Sequence, residues 1–467
     1  MDTPIAHLGT WLQTQRTAWR ARTPDYRQRM DDLTRLRHAF KARLEDFARA
    51  VSADFGHRPH FETLLADGVP VINEIDHVRR RLRRWMRPRR VAADATFFPA
   101  HCEIVTKPLG VVGIVSPWNY PVNLALVPLV DALAAGNHVM LKPSESTPRT
   151  SALLAGMLED VFPAERVAVV QGGVEAGAAF TALPFDHLLF TGSTAVGARV
   201  LAAAAPNLTP VTLELGGKSP AIVAPGCVTE RNVARIASGK FFNAGQTCIA
   251  PDYALVHEAE RDAFVALLRA CVARHYPQQD GGDDYASIVN DAQHARLCAW
   301  LDEARAAGAR IIPLHGNPGG AAARVLAPTV VLDAPGSLAL MRGEIFGPVL
   351  PVVTYGHFDE AVDYVNARPR PLSLYVFDDD RARIKQVLAA CTAGSVAVND
   401  CLFQFAQSRL PFGGIGPSGM GAYHGHAGFL AFSKQMPVFR QARWSATTWL
   451  RPPYGARAER LLEWLLR

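Results

Sequence analysis

Cys248 lies in the run Phe241-Phe-Asn-Ala-Gly-Gln-Thr-Cys248-Ile-Ala-Pro-Asp-Tyr253, among small, polar and glycine residues. Upstream, Glu214-Leu-Gly-Gly-Lys218 sets a carboxylate at the edge of a Gly-Gly turn. A thiol of ordinary pKa, about 8.5, is only a few per cent thiolate at neutral pH. A nucleophilic cysteine therefore needs a group that takes its proton, and Glu214 is a base outside the cysteine's own segment. A lone cysteine is more often a small buried hydrophobe, so the neighbours decide between the two readings.

Those neighbours do decide it. The two segments closely resemble the nucleophile and general-base motifs of the aldehyde dehydrogenase superfamily, which implies Cys248 as nucleophile and Glu214 as base. Pro117-Trp118-Asn119-Tyr120-Pro121 adds the family's oxyanion asparagine at Asn119. A neutral side-chain amide, with the cysteine's own N–H, suits the charge that develops on oxygen when a thiolate attacks an aldehyde. An asparagine after tryptophan otherwise only caps a turn. The resemblance implies oxidation of an aldehyde to its acid through a thiohemiacetal and a thioester.

The cofactor motifs follow the same order as in the family. His187-Leu-Leu-Phe-Thr-Gly192-Ser193-Thr-Ala-Val-Gly197 reads as strand, glycine turn and helix, and amides at such a helix start suit a pyrophosphate. It is not the generic GxGxxG fingerprint, and by itself a glycine turn is often only a turn. The family uses a segment of this form instead. Lys142-Pro-Ser144-Glu145 matches the lysine and glutamate that meet the adenine ribose, Glu344-Ile-Phe346-Gly-Pro348 the nicotinamide-side pair, and Trp118, Leu215 and Gly216 join them. A carboxylate at Glu145 favours the free 2′-hydroxyl of NAD, while Lys142 offsets repulsion of a 2′-phosphate. NAD is preferred, with NADP possible.

For the substrate, Tyr120, Leu124, Phe242, Phe403 and Phe405 suit either an apolar tunnel for aromatic or medium-chain aliphatic aldehydes or the hydrophobic core. The ending Ser418-Gly-Met-Gly-Ala-Tyr-His424-Gly425 and Cys248-Ile-Ala-Pro-Asp-Tyr253 resemble the class 3 branch. Ser52-Ala-Asp-Phe-Gly-His57 and Arg451-Pro-Pro-Tyr-Gly455 resemble bacterial coniferyl aldehyde dehydrogenases within it. His424 reads as structural. A fatty-aldehyde enzyme, transfer of the acyl group to coenzyme A or phosphate, and a catalytically silent homologue are the rival readings. Glu214 argues against acyl transfer, and the presence of both Cys248 and Glu214 argues against silence.

These residues need a scaffold. Leu33, Leu36, Phe40, Leu44, Phe47 and Val51 recur at helical steps, predicting one amphipathic helix closed by Ser52–Gly56, with a second helix over Phe61–Trp85. Residues 91–107 read as an extended arm. Gly110–Ser116, Val139–Lys142, Val167–Val170 and His187–Phe190 then alternate with helices, as in a doubly wound parallel sheet. Alternation restarts at Ser219–Val223, Tyr253–Val256, Val330–Leu332, Val349–Val353 and Ser395–Asn399, with a glycine-rich loop at Gly316–Ala323. The fold class is α/β: a Rossmann-type cofactor domain, a second α/β catalytic domain and a small β oligomerisation arm. The expected division is 1–87 with 108–211, then 212–398, with 88–107 and 399–445 as bridging elements and 446–467 as a tail. The strand at Phe432–Phe439 would pair its edge with a second copy, giving a homodimer.

At 467 residues, 49% hydrophobic and 20% charged, the composition is that of a soluble multidomain protein. Seven scattered cysteines without a CxxC pair make neither a disulfide framework nor a zinc site of that type, so no metal is expected. No signal peptide or run of about 18 apolar residues is read, which predicts a cytoplasmic location without stable membrane insertion. The net charge of +6 gathers in Arg79–Arg90. Without interleaved stacking aromatics that cluster reads as a solvated helix end, and no nucleic-acid partner is expected.

Overall fold

A computed structural model describes residues 2–277, 283–314, 324–445, 447 and 451–466. The glycine-rich stretch Gly316–Ala323 read as a loop lies outside the described residues.

Three sheets organise the chain. The arm pairs β1 (Arg89–Val91) with β2 (His101–Pro108) as an antiparallel hairpin. The first domain sheet follows with β3 (Val111–Val115), β4 (His138–Lys142), β5 (Val167–Val169), β6 (His187–Thr191) and β7 (Val211–Glu214), all parallel. The second is built from β8 (Pro220–Val223), β9 (Tyr253–His257), β10 (Arg310–Pro313), β11 (Thr329–Leu332), β12 (Val349–Tyr355), β13 (Ser373–Phe377) and β14 (Ser395–Val398). It is parallel except at β10, in the order β10-β11-β12-β9-β8-β13-β14. Two late strands then return: β15 (Gly419–Met420) pairs with β7, and β16 (Ser433–Arg440) pairs antiparallel with β2.

The sequence dictates this layering. β3, β4 and β6 are nearly continuous apolar runs, and their residues are buried almost throughout because helices cover both faces. In the first sheet the order is β15-β7-β6-β3-β4-β5. The chain winds from β3 outward through β4 and β5, then returns to β6 on the other side. The loops after β3 and β6 therefore diverge, opening a crevice at the carboxyl ends of the strands.

The predicted single helix through Leu33 and Val51 is two helices, Tyr26–Ala42 and Leu44–Phe55, broken at Arg43 with φ −114° and ψ 12°. Phe40 and Phe47 stay in ring contact at 5.6 Å across the break, so the apolar period runs on while the backbone turns. The second helix holds over Phe61–Trp85 but contains a π turn at Leu64–Gly68. Pro70 follows at once; it has no N–H to donate back, and the widened turn absorbs that loss.

Helix Tyr26–Ala42 is fastened to the first sheet by charge. Fully buried Asp32 accepts from Arg166 Nε at 2.9 Å, while Arg166 Nη1 donates to the Asn137 carbonyl just before β4 at 2.7 Å. Removing one partner strands the other charge in the interior. Asp32→Ala is expected to lower the unfolding free energy by about 3–5 kcal/mol, measured by urea denaturation; a loss below about 1 kcal/mol would contradict the buried-pair account.

Candidate active site and cofactor crevice

The crevice at the carboxyl ends of the first sheet collects the candidate residues. Asn119 follows β3 and is 3% exposed, Lys142 ends β4, the Gly192 turn follows β6, and Glu214 ends β7. Cys248 comes from the other sheet, on the loop between helix Glu230–Phe241 and β9. That loop takes an unusual path. Asn243, Ala244 and Gly245 occupy the left-handed region in succession, with φ of 52°, 49° and 74°. Gly245 is obligatory, since a Cβ there would stand 2.3 Å from the Gly347 carbonyl.

Side chains lock the turn. Glu62 accepts the Asn243 amide at 3.0 Å. Gln246 Nε2 donates to the Asn243 and Ser287 carbonyls, both at 3.0 Å, and its Oε1 accepts from Val289 N at 2.9 Å. Asn119 Nδ2 donates to the Gln246 carbonyl at 3.1 Å, which joins the β3 loop to the cysteine loop. An amide nitrogen carries two N–H groups, so the second remains for a ligand oxygen beside the thiol. Sequence reasoning passed over Gln246 although it sits inside the quoted cysteine segment; a main-chain acceptor has no residue-type signature.

The electrostatics are those of a dry site. Burial first, then the charges of Glu344 and Glu214, raise the Cys248 thiol above its usual range, while the amides of Cys248 and Ile249 act the other way. Burial lifts the Glu214 carboxyl well above normal, and among the described residues neither of its oxygens has a hydrogen-bond partner. Glu344 is pushed up to about 8 by burial and by Asp252, opposed by the Gly217 amide, Lys218 and Lys240. Tyr423, also unassigned from sequence, carries a buried hydroxyl without a partner, raised by burial and then by Glu214 and Cys248.

The residues read as cofactor-binding line the same crevice. Ser193 caps helix Thr194–Ala204 by accepting from Val196 N at 3.4 Å, leaving a helix N-terminus beside the Gly192 turn. A Cβ on Gly197 would meet Leu215 at 2.6 Å, and one on Gly216 would meet Glu344 Oε2 at 1.9 Å, so the backbone there must be bare. Lys142 Nζ lies 3.1 Å from Glu145, whose carboxylate is exposed. Ser144 is turned inward, its hydroxyl accepting the Ser146 amide at 3.2 Å. Phe346, with φ 50°, meets Trp118 edge-on at 5.3 Å. A helix N-terminus, a bare glycine floor, an exposed carboxylate for a ribose and the partnerless Glu344 Oε1 together fit a dinucleotide.

The substrate candidates divide. Tyr120 is buried, its hydroxyl 2.5 Å from Thr247 Oγ1, next to the cysteine. Phe405 and Cys248 fringe one core cluster, with Phe405 stacked edge-on against Phe412 at 4.8 Å and His424 at 4.7 Å. Phe242 is half-buried, Leu124 is buried in helix Asn123–Ala135, and Phe403 is 60% exposed. Buried His424, its Nε2 partnerless, is depressed to about 3 by burial and is neutral. Among the described residues no group of three or more histidine, cysteine or acidic side chains is arranged to hold a metal, and no helix is long and apolar enough to cross a membrane.

This geometry has counterparts. Residues 12–438 match the family model described as the aldehyde dehydrogenase family. The Pseudomonas aeruginosa protein named "Probable coniferyl aldehyde dehydrogenase" is 47% identical over 98% of this chain and 96% of its own length. The coniferyl aldehyde dehydrogenase of Pseudomonas sp. strain HR199 is 45% identical over 93% and 91%. Among solved structures, the substrate-bound state of Staphylococcus aureus AldH superposes with a TM-score of 0.92 at 34% identity, covering 98% of this chain and 99% of that one. The NAD-dependent aldehyde dehydrogenase of Sinorhizobium meliloti gives 0.86 at 28%, covering 95% and 89%. With a thiol, a partnerless carboxylate and an amide donor at the mouth of a dinucleotide crevice, and a family match over most of its length, the chain belongs to the aldehyde dehydrogenase family, whose general reaction is NAD(P)-dependent oxidation of aldehydes.

Proposed function

We propose that the protein oxidises an aromatic aldehyde of the coniferaldehyde type to its carboxylic acid, with Cys248 as nucleophile, Glu214 as hydrolytic base and Asn119 as oxyanion donor. One observation carries the reading: Asn119 Nδ2 is tied to the Gln246 carbonyl two residues before Cys248, and the buried Glu214 carboxyl, whose charge acts on that thiol, has no hydrogen-bond partner among the described residues. Cys248 gives its proton to Glu214, which releases it to solvent; Sγ bonds to the aldehyde carbon, and the oxygen that takes up the charge is held by the free Asn119 N–H and the Cys248 amide. When bound, NAD(P)+ supplies the hydride acceptor that converts this adduct to a thioester. Glu214 then takes a proton from water as the water attacks the acyl carbon; the carbon–sulfur bond breaks and the thiol regains a proton. Low solvent access favours the neutral forms of both groups, so each must lose a proton before it acts.

The crevice residues divide the cofactor. Lys142, Ser144 and Glu145 serve the adenine ribose, Gly192, Ser193 and Gly197 the pyrophosphate, and Trp118, Leu215, Gly216, Glu344 and Phe346 the nicotinamide side. Glu145 supports NAD over NADP. Residues 1–87 with 108–211 act as the cofactor domain, 212–398 as the catalytic domain, and 88–107 with 399–445 as the bridge. The aromatic cluster around Phe405, and relatives named for coniferyl aldehyde, support an aromatic substrate over a fatty one. Among the described residues the far edge of β16 has no partner strand, which supports a homodimer that covers it; a cytoplasmic location is part of the same reading.

With benzaldehyde, coniferaldehyde, hexanal and decanal, and NAD or NADP, wild type is expected to form reduced cofactor fastest with coniferaldehyde and NAD. Cys248→Ala is expected to lose activity, Asn119→Ala about 10²–10³-fold in kcat, and Glu214→Gln to give one turnover and stall. Turnover by Cys248→Ala, or none by wild type, would refute the mechanism. Because burial raises both ionising groups, kcat/KM should climb from neutral toward alkaline pH; a flat or falling profile would contradict the stated electrostatics. Light scattering should give a mass near twice 50.7 kDa, and a monomer at micromolar concentration would exclude the dimer.

A further inference from the structure

Arg58 is a charged residue that this scheme leaves unused, and it is 1% exposed. An arginine is almost never fully buried without pairing. Here Nη1 lies 3.1 Å from Asp67 Oδ2 and donates to the Asn119 main-chain carbonyl at 3.2 Å. Asp67 Oδ1 in turn accepts the amides of Val122 at 3.1 Å and Asn123 at 2.9 Å. One buried ion pair thus grips both ends of the segment 119–123. The guanidinium carbon sits 4.8 Å from the Tyr120 ring centroid and 5.4 Å from that of Phe55; Nε and Nη2, which have no hydrogen-bond partner among the described residues, lie beside this aromatic surface.

We propose that Arg58 is a positioning residue for the oxyanion donor: it fixes the main chain of Asn119 so that the one side-chain N–H not spent on Gln246 faces the oxygen of the Cys248 adduct. The proposal rests on the reading of Asn119 given above. Asn243 Nδ2 also donates to the Asn119 carbonyl at 3.2 Å, but Asn243 belongs to the cysteine loop and moves with it. Arg58 ties Asn119 instead to Asp67 of the helical layer, the layer whose Glu62 also holds the cysteine loop. The carbonyl contact comes from the same Nη1 that faces Asp67, so the ion pair and the Asn119 main chain share one donor atom.

A double-mutant cycle tests this on the full-length enzyme with coniferaldehyde and NAD. Arg58→Lys keeps a charge for Asp67, but its shorter side chain ends short of the Nη1 position, the single atom that meets both acceptors. A displacement of about 1 Å at such a donor costs on the order of 10²-fold in rate. Arg58→Lys is therefore expected to lower kcat by 10- to 100-fold with KM nearly unchanged, and to leave alkylation of Cys248 by iodoacetamide at the wild-type rate. Arg58→Lys/Asn119→Ala should be no slower than Asn119→Ala. Losses that multiply in the double variant, an unchanged kcat in Arg58→Lys, or alkylation that slows in step with turnover would each overturn the proposal. If Arg58→Lys does not fold, Asp67→Asn replaces it in the cycle and must show the same coupling to Asn119→Ala. Failure of the underlying reading shows itself separately, as wild-type turnover by Asn119→Ala alone.

Discussion

The Gln246 main-chain carbonyl is the point on which the site depends. It receives Asn119 from the loop after β3 and Asn243 from the cysteine loop, at 3.1 and 3.3 Å. The first residue hangs from one sheet and the second from the other, so this single acceptor sets how near a thiol stands to an amide donor. It can do so only because the chain before it runs through three left-handed residues. Non-glycine residues in that region cost on the order of 1–3 kcal/mol each and persist only where their surroundings overdetermine them. The surroundings do so here: the Glu62 carboxylate on one amide, the Gln246 side chain on two carbonyls, and the Val289 amide closing the ring.

The same enclosure sets the chemistry of the acids. Among the described residues both oxygens of buried Glu214 and Oε1 of half-buried Glu344 lack hydrogen-bond partners, which an ordinary core would not tolerate. Both are raised, and so is Glu62, to about 7, with burial the first cause in every case. A carboxyl raised in the folded state binds its proton more tightly than in the unfolded chain. Its contribution to stability is complete below the unfolded value near 4.5 and is lost as pH rises through the folded one. The fold thus gives up alkaline stability at Glu344 in order to keep a strong proton acceptor dry.

How much of this was legible in the sequence follows from what each residue has to be. Cys248, Glu214, Asn119 and Glu344 must be those residue types, and short glycine-flanked motifs mark them; the structure brings all four to one crevice. The buried parallel strands were legible as apolar runs between turns. The helix break at Arg43 was not, because Phe40 and Phe47 keep their period through it. β7 was missed as a strand: four residues ending in the carboxylate that drew attention leave little pattern. Phe403 and Phe405 could not be separated, since the loop holding them is irregular, with Leu402 at φ 67°, and no period says which ring faces in. Arg58 and Gln246 act on main-chain carbonyls, for which no residue type is required of the partner.

The nicotinamide-side loop is held by charge placed behind it. Asp252, four residues beyond the cysteine, accepts the Ile345 amide at 3.0 Å and pairs with Lys218 of the Glu214-Leu-Gly-Gly segment. Lys218 Nζ also donates to the Leu340 and Gly343 carbonyls at 2.8 and 3.0 Å, the last of them adjoining Glu344. Three motifs distant in sequence are therefore tied by one buried carboxylate and one ammonium. Lys240, fully buried, without a hydrogen-bond partner among the described residues and depressed to about 8, stands 4.0 Å from the same Asp252. With Lys218 it opposes the rise of Glu344, which Asp252 promotes. Asp252 thus acts twice, as the anchor that holds the loop in place and as the charge that makes its glutamate reluctant to ionise, so the geometry and the acidity of the nicotinamide side cannot be varied independently at this position.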